Sequence, residues 1–84
     1  MRVSGKLIKD GKWYAVEIPI LGAHTQGKTK ADALRMAEAW VCDMLDRQDF
    51  DVKAIPDAKG EGFSLECADA GALIGLILRQ QRLE

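Results

Sequence analysis

The chain predicts an α+β fold in the order ββαββα, with a mostly antiparallel sheet, a long helix packed on one face and a C-terminal helix. Three observations carry this expectation. Two alternating runs flank an Asp-Gly pair near the start. An Ala-rich stretch with helical spacing follows. Two further alternating runs then lead into an apolar stretch. Eighty-four residues, 48% of them hydrophobic, are enough for one ordered domain spanning residues 1–84 with a single small core.

The first two strands are Arg2 to Lys9 and Lys12 to Ile18, joined at Asp10-Gly11. Asp-Gly between alternating runs signals a tight hairpin, because such turns need positive φ. A two-residue loop there sets Lys9 opposite Lys12, Leu7 opposite Tyr14, Gly5 opposite Val16 and Val3 opposite Ile18. Val3, Leu7, Tyr14, Val16 and Ile18 then share the core face. The other face carries Arg2, Ser4, Lys6, Ile8, Trp13, Ala15 and Glu17, with Ile8 opposite Trp13 as an apolar pair on polar ground.

Pro19 has no N–H to give and ends simple pairing. Residues 20–27 read as a loop with a short edge strand around His24 to Gln26, where Gly22 and Gly27 mark backbone positions that a side chain would obstruct. Thr29 is a natural N-cap, with Asp32 three residues on to complete a capping box. The helix runs from Lys30 to about Arg47. Ala33, Ala37, Trp40, Val41, Met44 and Leu45 form its buried stripe, while Asp32, Arg35, Asp43 and Asp46 face outward.

Phe50 to Ile55 alternates as the next strand and stops before Pro56; residues 57–60 have turn composition. Phe63, Leu65 and Cys67 alternate with Ser64 and Glu66 as the following strand. Asp69 caps a last helix from Ala70 to about Arg82, where Arg79 and Arg82 suit the negative end of the helix dipole. This helix has no polar side in its middle. Leu73, Leu76 and Ile77 can pack on the sheet, which leaves Ile74 and Leu78 facing away. A helix apolar all round is normally buried all round, so the expectation is a homodimer or higher oligomer that covers Ile74 and Leu78. Gly71 and Gly75, one turn apart, leave room for a close neighbour.

The net charge of −1 makes no global case for nucleic-acid or membrane binding, but the charge is unevenly placed. Residues 1–30 hold six basic side chains against Asp10 and Glu17, whereas residues 31–84 hold six basic against eleven acidic. Cys42 and Cys67 are too few for a disulfide framework, and both read as small core residues. The chain opens directly on a strand pattern without the apolar core of a signal peptide. No apolar run approaches the ~18 residues of a membrane span. The expected setting is the reducing cytoplasm.

The residues offer little chemistry. His24 is the only histidine, and a structural role is expected of it. No Cys/His spacing suits zinc, and Glu17, Glu38, Asp43 and Asp46 are not fixed in one site, so no metal is expected. No glycine loop of phosphate-binding spacing is present, so no cofactor is expected either. With no convergent nucleophile and base, the chain reads as a non-enzyme without catalytic residues.

The segment from Pro19 to Ala33 resembles the signature of HicB-like proteins, the antitoxin half of a bacterial toxin–antitoxin pair. The family pattern is roughly Pro-x-Leu-x-Gly-x-x-x-Gln-Gly-x-Thr-x-x-Glu-Ala, with tolerance in its first positions. Pro19, Leu21, Gly22, Gln26, Gly27, Thr29 and Ala33 carry the match, and Asp32 stands in for the acid. The resemblance covers nearly the first half of the chain. It implies a non-catalytic protein that binds and neutralises a small basic ribonuclease toxin, HicA-like and of double-stranded-RNA-binding fold, by occluding its catalytic surface. Many such antitoxins carry a C-terminal DNA-binding domain. Here the chain ends at Glu84 after one helix, so operator binding is not expected of it.

Asp43, Asp46, Asp49 and Asp51 are the expected partner contacts, because four acids against Arg47 make the densest negative stretch. The alternative is a small nucleic-acid-binding or regulatory module that uses Arg2, Lys6 and Trp13 on the basic hairpin face.

Overall fold

The computed structural model describes residues 1–47, 50–58 and 60–82. The elements are β1 (Arg2–Asp10), β2 (Trp13–Ile18), a 3₁₀ turn (Pro19–Leu21), β3 (Ala23–Gly27), α1 (Lys30–Leu45), β4 (Val52–Pro56), β5 (Gly62–Cys67) and α2 (Ala70–Arg82). The five strands form one antiparallel sheet in the order β3-β2-β1-β5-β4. Both helices pack on the same face. Val3, Leu7, Val16, Ile18, Phe63 and Leu65 from the strands join Ala33, Ala37 and Val41 of α1 and Leu73, Leu76 and Ile77 of α2 in one buried cluster. The sheet's other face is open, as antiparallel sheets allow.

The expected α+β class, the strand alternation and the helix on one face are present, with four differences in detail. The hairpin loop is Gly11-Lys12, so Asp10 pairs with Trp13 and Leu7 with Val16. Gly11 takes φ +63°, and Asp46 is the only non-glycine residue with positive φ among the described residues. A glycine with positive φ at the first central position matches a type II′ turn, whereas Asp10-Gly11 at the tip would have required it of Asp10 as well. The register moves by two residues, so no side chain changes face. Ile8 therefore opposes Ala15 rather than Trp13.

The segment after Pro19 is more ordered than a loop. It makes the 3₁₀ turn and then a full edge strand, β3, paired to β2 with Ile18 opposite Ala23 and Tyr14 opposite Gly27. α1 stops at Leu45 instead of Arg47. Asp46 turns into the left-handed region (φ 55°, ψ 41°), and the Asp46 and Arg47 N–H groups donate back to the Asp43 and Cys42 carbonyls. This closure satisfies the last helical carbonyls and stops the helix. β4 begins at Val52 and runs through Pro56 instead of stopping before it, since the proline sits at an edge position where its missing N–H would point away from β5. Phe50, expected in the strand, precedes it and is nevertheless buried. Asp49 and the side chain of Arg82, both named from the sequence, lie outside the described residues.

α1 is tied to both edges of the sheet. At its start, a Cβ added to Gly27 would lie 2.5 Å from the Ala33 N, so the helix backbone rests directly on the face of β3. Further along, Glu38 Oε2 accepts the Ala54 N–H of β4 at 2.8 Å.

Candidate functional site

The segment from Pro19 to Ala33 is a structural joint. Gly22 sits at φ 62° and closes the 3₁₀ turn through its N–H to the Pro19 carbonyl. Leu21 is fully buried and Ala23 nearly so, which anchors the chain between turn and strand. Gly27 makes room for α1. Thr29 then caps the helix: its Oγ1 accepts the Asp32 N–H at 3.0 Å. The Asp32 carboxylate reaches back to the Lys28 N–H at 3.1 Å and also meets Arg35. That backbone bond, helped by the Arg35 guanidinium, holds the Asp32 carboxyl below the usual aspartate range. The short Asp side chain reaches the residue before the cap, where the reciprocal bond of a capping box ends on the cap itself.

The acidic positions frame the connection from α1 to β4 without converging. Asp43, Asp46 and Asp51 are all exposed. Asp43 borders a concavity with Arg35, Glu38, Cys42, Phe50 and Val52, whereas Asp51 borders another with Lys53, Glu66 and Cys67. Arg47 lies between them in sequence. It stacks 5.1 Å from the Phe50 ring and pairs with Asp69 at 3.5 Å. Asp69 also accepts the Ala72 N–H at 3.1 Å, as expected of a cap for α2.

The open sheet face does not gather Arg2, Lys6 and Trp13 into one site. Arg2 pairs with Glu66 at 3.3 Å, and Lys6 stands opposite Glu17. Trp13 is paired with Asp10 at the far end of β1, about 27 Å along the strand from Arg2 at ~3.4 Å per residue. The cation over its ring is Lys28, 5.9 Å away. His24 lies on this face 3.9 Å from Glu17 and is largely exposed.

On α2, Ile74 and Leu78 are 45% and 54% exposed, one turn apart, while Leu73, Leu76 and Ile77 are buried. Nothing lies within 4 Å of a Cβ added to Gly75. The helix thus divides as its sequence predicts.

Two features escaped the sequence reading. A cavity of about 460 Å³ lies where β2 leaves β1, lined by Arg2, Val3, Ser4, Gly5, Lys6, Pro19 and Ile20. Pro19 is its only sequence signal, as the point where strand pairing must stop. Glu38, an acid that the sequence fixes in no site, closes the edge of β4. Neither Cys42 nor Cys67 is in a disulfide; Cys67 is buried, and burial pushes its thiol up. Among the described residues, no three His, Cys, Asp or Glu side chains form a metal-binding group, and no helix is long and apolar enough to cross a membrane.

Comparison with protein-family models, with curated proteins and with solved structures found no match for this chain.

Proposed function

We propose that this protein is a HicB-like, antitoxin-type module that acts by binding rather than catalysis. Its partner is a small basic RNA-cleaving toxin, which it neutralises in the cytoplasm. The observation that carries the reading is the segment from Pro19 to Ala33, where four residues of the matching stretch each have a distinct task in one joint. Gly22 closes the turn, Gly27 seats the helix, and Thr29 with Asp32 caps it. The exposed acids Asp43, Asp46 and Asp51 support a positively charged partner, since complementary charge speeds encounter and sets specificity. The exposed Ile74 and Leu78 support a homodimer or higher oligomer formed through α2.

The test is co-purification of the full chain with the product of a neighbouring short basic reading frame, followed by an RNA-cleavage assay of that product with and without this protein. Binding that suppresses cleavage, weakens with salt and is lost when Asp43, Asp46, Asp49 and Asp51 are all changed to Asn is the expected result. Absence of a protein partner, with RNA binding that depends on Arg2 and Lys6, would replace this reading with the nucleic-acid one. The carboxylates facing both cations argue against that outcome.

A further inference from the structure

The two edges of the sheet are treated differently. Along β4, the Asp57 N–H donates to the Gly62 carbonyl and the Ala68 N–H to the Asp51 carbonyl. Bonded positions alternate, so the main-chain groups of Val52, Ala54 and Pro56 point outward. That edge is blunted. Glu38 occupies the Ala54 N–H, and Pro56 has no N–H.

The same alternation can be followed to β3. The Met1 and Cys67 main chains bond to each other, and Leu7 donates to Glu61, so odd-numbered residues of β1 face β5. Even-numbered ones face β2, whose Tyr14, Val16 and Ile18 then bond to Gly27, Thr25 and Ala23 of β3. This leaves the main-chain groups of His24 and Gln26 pointing outward. α1 rests on the face of β3 at Gly27, and among the described residues no side chain bonds to the main chain of His24 or Gln26 as Glu38 does to Ala54 at β4. No proline, lysine or acid stands within Ala23–Gly27.

This edge complements itself. In an antiparallel two-fold pairing centred on Thr25, His24 meets Gln26 of the second copy, and Ala23 meets its Gly27. The pairs that face each other with main-chain groups are those whose groups are free, and no like charges are opposed. We propose that β3 is an edge through which two copies of this chain join, in that register, into one continuous sheet. This interface is independent of the toxin reading and separate from the exposed face of α2.

The test is sedimentation equilibrium of the full chain with two charge variants on the open face. H24K/Q26K opposes lysine to lysine twice across the junction, whereas H24K/Q26E opposes lysine to glutamate twice. Both substituted side chains are exposed, so the fold tolerates them. We expect the wild type to assemble, H24K/Q26K to halve its mass, and H24K/Q26E to restore it. In hydrogen exchange, the His24 and Gln26 amides should gain protection as the wild-type concentration rises. A monomeric wild type, an H24K/Q26K variant of wild-type mass, or an H24K/Q26E variant that stays dissociated overturns the proposal. Persistence of assembly in H24K/Q26K leaves the α2 interface standing, so the two contacts are told apart.

Discussion

Glu38 of α1 spends its carboxylate on the backbone of Ala54, accepting the N–H at 2.8 Å at the outer edge of β4. One side chain thus docks the helix and satisfies a strand edge. Glu38→Ala should lower stability by about 1 kcal/mol and leave β4 open to intermolecular pairing. Glu38→Gln, which keeps an acceptor, should lose less. Denaturant midpoints and light scattering of the three proteins check both effects. A Glu38→Ala protein as stable and as soluble as the wild type would contradict this role.

At the other end of α1, Thr29→Ala should cost ~1 kcal/mol through the lost cap. Asp32 adds a pH dependence. Its carboxyl titrates below the ordinary aspartate range when folded, so the unfolded chain binds the proton first on acidification. Its contribution is therefore complete above about pH 5 and fades as pH falls below about 4 towards the folded value. The stability difference between the wild type and Asp32→Asn should be constant near neutrality and shrink in that acid window. A difference independent of pH would remove the charge from the account.

Gly27→Ala should destabilise by about 1–3 kcal/mol, because the new Cβ would meet the Ala33 backbone, which cannot move aside without shifting α1. Gly75→Ala is the control. Its Cβ meets nothing within 4 Å, and alanine favours a helix by ~1 kcal/mol, so the free chain should gain stability. Thermal unfolding of the pair measures the contrast.

Ile74→Glu with Leu78→Glu should reduce the mass of the protein in solution if α2 meets a second copy. Far-ultraviolet circular dichroism should stay unchanged, since both side chains are already exposed within the single chain. An unaltered mass in light scattering would assign that apolar face to a different partner.

Much of the fold was legible locally. Alternation placed Val3, Leu7, Val16 and Ile18 inside, and helical spacing placed Ala33, Ala37 and Val41 there too. Both are short-range consequences of a period near 2 or 3.6. The caps at Thr29 and Asp69 were equally local, since each bond spans three residues. The hairpin turn was legible in kind but not in register, because Asp-Gly permits more than one placement of the loop and face alternation is blind to a slip of two.

The candidate site was less legible, because its properties depend on distant partners. Composition shows a basic first third, yet Arg2 and Lys6 stand beside Glu66 and Glu17, neighbours that exist only once strands pair. Glu38 reads as an acid fixed in no site until β4 is brought under it. Nothing beside Gly5 in the sequence shows why it is a glycine, but a Cβ there would collide with the Phe63 ring from β5. Sequence by itself determined which faces are apolar and where the two helices begin, because those follow from neighbours along the chain. Tertiary structure alone decided which charges are matched, which strand edge is closed and which is left open, because each depends on residues that folding brings together from far apart.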